Sequence, residues 1–160
     1  CIGISISKNI ETAEITAVDI SEQALETARR NASLFGVSER MRFCRGDLFQ
    51  ALMFEKNQGF DIIVCNPPYI KSGDIRSLQE EVKREPGIAL DGGPDGLEFY
   101  RRLLSEAHLY LKKGGDLLFE IGAGQVQDIK YMIHKTNTYY IKNITKDFSG
   151  IDRVIWIGLS

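Results

Sequence analysis

The sequence predicts an α/β domain: a mainly parallel, twisted sheet with helices on both faces and an antiparallel strand at its C-terminal end. Three observations predict it. Short apolar runs alternate with segments of helical periodicity. The run Phe60–Cys65 (FDIIVC) is apolar almost without alternation, as a strand covered on both faces is. The apolar runs close on polar residues, Asp19, Asp47, Asn66 and Glu120, and folds of this class bind ligands beyond the carboxyl ends of their strands.

The elements follow in order. Glu14–Asp19 (EITAVD) reads as a strand, and Ser21 then caps a helix whose Ala24, Leu25, Ala28, Ala32 and Phe35 share one face before Gly36. Met41–Arg45 is a second strand, followed by Gly46-Asp47-Leu48-Phe49 and a polar break containing Asn57 and Gly59. After FDIIVC the chain leaves the sheet at Asn66-Pro67-Pro68-Tyr69. Residues 70–95 are polar and rich in Gly and Pro, which predicts a mainly irregular excursion of the kind that usually carries function. Leu97, Tyr100, Leu104, Ala107 and Leu111 mark a helix closed by Lys112-Lys113-Gly114. Asp116–Ile121 reads as another buried strand, and Val126, Ile129 and Ile133 as the helix after it. The runs Tyr139–Thr145 and Arg153–Leu159, separated by Asp147-Phe148-Ser149-Gly150, suit an antiparallel pair, with Trp156 in the core.

Composition excludes several classes. A chain of 160 residues with 43% hydrophobic and 26% charged residues can bury a core and gives no sign of disorder. No apolar run approaches the roughly 20 residues that span a bilayer, and the apolar opening Cys1–Ile6 lacks the basic flank of a signal peptide, so a cytoplasmic location is expected. The cysteines Cys1, Cys44 and Cys65 form no CxxC pair, and no metal site is expected. A net charge of -2 with no Lys/Arg block leaves no electrostatic footprint for duplex nucleic acid.

The most specific feature is Asn66-Pro67-Pro68-Tyr69. Proline has no N–H and cannot continue a sheet ladder, so the chain must turn there, stiffly. Peptide groups at the two prolines can only accept hydrogen bonds, and an acceptor-only site suits a donor-rich ligand. An NH2 group offers two N–H bonds, one for the Asn66 side-chain oxygen and one for the Pro67 carbonyl, while Tyr69 can stack on the planar group that carries the nitrogen. The alternative is a rigid turn with a side-chain cap.

On these residues the sequence resembles the class I methyltransferases, whose Rossmann-like sheet presents a nitrogen to S-adenosyl-L-methionine at an NPPY or DPPY turn. The resemblance implies that Asp19 holds the ribose hydroxyls, with Ile20 beside it. It places Asp47 at the adenine amino group with Leu48 and Phe49 flanking the ring, and Asn66 where cofactor and substrate meet. A carboxylate suits the first role, since it accepts two hydroxyl donors. The likeness is closer still to release factor glutamine methyltransferases of the PrmC or HemK type. It rests on AVDIS, FDIIVCNPPYI, the stretch Glu85-Pro86 through Leu97, Leu118–Gly122 and the terminal DFSGIDR. That resemblance implies methylation of the glutamine side-chain amide in a Gly-Gly-Gln loop of a peptide chain release factor. Asn66, Pro67, Pro68 and Tyr69 would act on the nitrogen, and Glu85 and Pro86 would contact the substrate. It also implies that residues 1–160 are a methyltransferase catalytic domain incomplete at its N-terminus. The first strand and the glycine-rich cofactor loop would precede Cys1, and the chain alone would bind the cofactor weakly.

Other readings stay open at this point. The same turn would serve an adenine-amino methyltransferase acting on DNA or RNA, and a non-catalytic fragment that only binds a protein partner would keep the same pattern. Gly122-Ala123-Gly124 would be the cofactor loop of a circularly permuted enzyme, although tight packing at a helix start accounts for it more simply. Gly92-Gly93-Pro94-Asp95-Gly96 reads as a turn and helix cap, and His108 and His134 as structural or solvated residues.

Overall fold

The computed structural model describes residues 1–55 and 59–160; Asn57, assigned to the polar break, lies outside the described residues. Two compact units emerge, Cys1–Glu55 and Lys56–Ser160.

The first unit opens with helix α1 (Ile2–Asn9), formed by the apolar opening of the chain. Arg40 ties down its end: the guanidinium donates to the carbonyls of Ser7 at 2.7 Å, Ile10 at 3.1 Å and Ala13 at 3.3 Å, satisfying groups a helix terminus leaves unpaired. Strand β1 (Ile15–Asp19) leads into helix α2 (Glu22–Leu34), and the Ser21 hydroxyl accepts the Ala24 N–H at 3.2 Å as the expected N-cap. Strand β2 (Met41–Arg45) pairs in parallel with β1. Ile4, Ala32 and Val37 form the unit's core with Met41 and Phe43 against them. Of the predicted apolar face of α2, Leu25 and Ala32 are buried, whereas Phe35 is 48% exposed because it sits past the last helical residue.

The second unit holds β3 (Phe60–Cys65), the short helix α3 (Glu80–Lys83), α4 (Glu98–Glu106), β4 (Leu111–Glu120), α5 (Val126–Thr136), β5 (Tyr139–Lys146) and β6 (Asp152–Leu159). Its sheet runs in the order β3-β4-β6-β5, parallel between β3 and β4 and antiparallel on both sides of β6. Three of the four strands therefore share one direction, as the predicted fold class requires. The core is built from Tyr100, Leu103 and Leu104 of α4, Leu117 and Phe119 of β4, Ile129 and Ile133 of α5, and Ile155 and Ile157 of β6. The rings of Tyr100 and Phe119 pack at 5.6 Å.

Three expectations are corrected. The helix predicted through Leu111 ends at Glu106 and tightens into a 3-10 turn at Ala107–Leu109. Leu111 satisfies helical spacing but pairs with Phe60, and the register then jumps to Ile62 opposite Asp116, so the Lys-Lys-Gly segment is a bulge in β4 rather than a helix end. β3 is not covered on both faces: Ile62 is 57% and Val64 39% exposed. Trp156 is 37% exposed, because strand alternation that buries Ile155 and Ile157 turns it outward, where Lys142 lies 5.4 Å from its ring.

Among the described residues no helix is long and apolar enough to cross a membrane. The three cysteines are free thiols. Cys1 is exposed, whereas burial pushes the Cys65 thiol up to about 12. A thiol reagent at about pH 8 is expected to modify Cys1 readily and Cys65, half-buried and with its thiolate disfavoured, more slowly. Equal rates in Cys1→Ser and Cys65→Ser variants would contradict this burial.

Candidate active site

In the second unit the candidate site is the turn that follows β3. The sheet ladder stops at Cys65, as two consecutive prolines require, and Asn66 emerges exposed while Pro67 is buried beneath it. Tyr69 anchors the far side of the turn. Its hydroxyl donates to Glu120 Oε1 at 3.2 Å, and its carbonyl accepts from Gln125 Nε2 at 3.0 Å. Burial, and then the Glu120 carboxylate, push the Tyr69 phenol above its usual value, so it remains a proton donor at neutral pH.

The irregular stretch after the turn folds back on it. Ile70 N–H donates to the Leu90 carbonyl at 3.0 Å and Gly92 N–H donates to the Ile70 carbonyl at 2.8 Å. Gly96 takes a positive φ of 75°, and a Cβ there would lie 2.6 Å from the Tyr69 carbonyl oxygen, so this close backbone approach needs glycine. Asp95 Oδ1 accepts the Leu97 N–H at 3.1 Å and also pairs with Arg101 of α4. Gly92-Gly93-Pro94-Asp95-Gly96 is thus the expected turn and in addition a wall against Tyr69, but it is not the expected helix cap, because Leu97 occupies the N-cap of α4 without a side-chain cap bond. Glu85 and Pro86 are exposed just before the 3-10 turn Gly87–Ala89, and the charge of Glu85 contributes to raising the Tyr69 phenol. Gly122 packs tightly at a helix start, as expected, with its N–H donating to Gln125 Oε1 at 2.9 Å.

The sequence did not single out Gln125 or the hydroxyl of Tyr100 for the site, and it marked Glu120 only as a strand end. Tyr100 occupies a helical core position, and nothing in its spacing reveals that its hydroxyl reaches the Glu120 carbonyl and Gln125 Oε1, each at 3.2 Å. Of the Gly pair before Gln125 the one clearance is at Gly122, where a Cβ would lie 2.6 Å from Oε1, and a glycine before a helix does not by itself point to the glutamine.

In the first unit, Asp19 closes β1 exposed at its carboxyl end. Its Oδ1 accepts the Ser21 N–H at 2.8 Å, leaving acceptor capacity on the carboxylate, and its carbonyl accepts the Gly46 N–H at 3.1 Å. Ile20 beside it is 44% exposed. After β2, Asp47 is half-buried, and its carbonyl accepts the Gln50 N–H at 3.1 Å. Leu48 has a φ of +48°, a left-handed conformation rarely taken by a leucine and one that tends to persist at functional sites. Phe49 is 4% exposed, so it presents no open face. An acceptor carboxylate at a strand end with an exposed aliphatic neighbour fits the ribose end of a nucleoside cofactor.

Residues 2–154 match the methyltransferase domain family. A release factor glutamine methyltransferase of Geobacter sulfurreducens is 40% identical over 156 residues, covering 97% of this chain and 53% of that protein. A ribosomal protein uL3 glutamine methyltransferase of Bordetella pertussis is 40% identical over 122 residues, 76% of this chain and 40% of that protein. The chain spans about half the length of the curated relatives it matches. A methyltransferase structure from Pyrococcus furiosus superposes with a TM-score of 0.69 at 20% identity, over 96% of this chain and 66% of that one, a likeness of fold.

Proposed function

The chain belongs to the methyltransferase domain family, and from that premise we propose that it serves the transfer of a methyl group from S-adenosyl-L-methionine to the side-chain amide nitrogen of a glutamine in a peptide chain release factor. The observation that carries this reading is the Asn66–Tyr69 turn. Its Tyr69 end is fastened by Glu120 and Gln125, while Asn66 stands exposed at the carboxyl end of a strand.

An amide nitrogen is a poor nucleophile because its lone pair is conjugated with the carbonyl. The Asn66 side-chain oxygen and the Pro67 carbonyl accept its two N–H bonds, which returns electron density to nitrogen and fixes the direction of its lone pair. Holding the nitrogen about 3 Å from the electrophile supplies most of the remaining advantage. The bound cofactor contributes an electrophilic methyl on a sulfonium. Asp19 takes the ribose hydroxyls with Ile20 beside it, Asp47 takes the adenine amino group, and Leu48 and Phe49 back the ring. Glu85 and Pro86, both exposed, meet the protein substrate, and residues 1–160 belong to the catalytic domain.

Methyl-labelled cofactor, incubated with the complete protein, tests the substrate. Label is expected on a release factor and absent from adenine-containing DNA. Labelled adenine with an unlabelled release factor would replace this reading by the adenine-amino one.

A further inference from the structure

We infer that Gln125 is a positioning residue for the methyl-accepting turn, acting through the Tyr69 carbonyl; the inference rests on the function proposed above. Its side-chain amide is fully committed. Oε1 accepts from Gly122 N–H at 2.9 Å and lies 3.2 Å from the Tyr100 hydroxyl, while Nε2 donates to the carbonyls of Tyr69 at 3.0 Å and Gly96 at 3.1 Å. The amide cannot be flipped, since that would set its NH2 against the Gly122 N–H and its oxygen against two carbonyls. One side chain therefore joins the end of β4, the Gly96 turn and the Asn66–Tyr69 turn.

A residue that merely started α5 would need only the Gly122 bond. The two bonds from Nε2 do something else. They engage the Tyr69 carbonyl and fix the turn one residue beyond Pro68, which holds the Asn66 side chain and the Pro67 carbonyl in place as acceptors for the nitrogen. The neighbours are cleared for this contact: a Cβ on Gly122 would lie 2.6 Å from Gln125 Oε1, and one on Gly96 would lie 2.8 Å from Nε2. Displacing a reacting group by about 1 Å from a distance costs on the order of a hundredfold in rate, which sets the scale of the effect.

The test uses the complete protein with methyl-labelled cofactor and a release factor. Gln125→Glu keeps the acceptor for Gly122 but sets a carboxylate oxygen against two carbonyls; Gln125→Met removes both interactions without adding charge. Either variant is expected to lose roughly ten- to a hundredfold in kcat, with cofactor affinity within about twofold of the parent. Because the residue acts through the turn, the loss in Gln125→Glu combined with Asn66→Ala should be clearly smaller than the product of the two single losses. The backbone amide of Ile70, which is bonded to the Leu90 carbonyl and shares its peptide group with the Tyr69 carbonyl, should also exchange with deuterium faster in both variants. Parental kcat in a folded variant, or losses that multiply in the double variant, would overturn the inference. A parent that labels no glutamine would sink the functional reading instead, and hydrogen exchange would then decide: unchanged protection at Ile70 overturns the clamp, and accelerated exchange supports it.

Discussion

Asn66→Ala is expected to lower turnover by on the order of a hundred to a thousandfold while leaving the affinity for S-adenosyl-L-methionine within about twofold of the parent. The size follows from what is removed. The exposed Asn66 oxygen is proposed to accept an N–H from the reacting amide, and that interaction strengthens as positive charge develops on nitrogen. Alanine leaves the stiff prolines and the Tyr69 anchor in place, so the fold and the turn survive. A variant with turnover within about threefold of the parent would show that the turn does not act as an acceptor for the nitrogen.

Asp19→Ala is expected to act on the other half of the reaction, weakening cofactor binding by about 1.5–3 kcal/mol, roughly ten- to a hundredfold in Kd. The carboxylate spends one acceptor site on the Ser21 N–H, and the remainder is proposed to take two ribose hydroxyls. Loss of the Ser21 bond would loosen the start of α2, so the variant to set beside it is Asp19→Asn, which keeps one acceptor oxygen for Ser21 and loses the charge. Calorimetry on both separates the roles: an affinity reduced in both variants with helix content retained in Asp19→Asn supports ribose binding. Unchanged affinity in either variant would reduce Asp19 to a residue that shapes the helix start.

Much of this was legible because local chemistry and fold agree. Ser21 caps α2, the ladder ends where two prolines end it, and the strand ends hold the polar residues. Failures arose where one pattern served two structures. Leu111 lies four residues after Ala107, as a helix would have it, yet it is the first residue of β4. Trp156 lies between two core isoleucines in sequence and on the opposite face in space. The anchoring of the turn was illegible for another reason. Tyr69, Gly96, Glu120 and Gln125 are scattered along the chain, and only the folding of residues 70–96 against the ends of β3 and β4 joins them. A glutamine before a helix carries no local signal of the two carbonyls it reaches.

The central claim, that the Asn66–Tyr69 turn presents a glutamine amide for methylation, is tested most directly by locating the methyl group. The complete protein, S-adenosyl-L-methionine and an unmodified release factor are incubated, and the product is fragmented by tandem mass spectrometry. The account predicts one added methyl on the side-chain nitrogen of the glutamine in the Gly-Gly-Gln loop, lost when Asn66 is alanine. Methyl found on a lysine, an arginine or the backbone, or on the same glutamine at an undiminished rate in the Asn66→Ala protein, would contradict it.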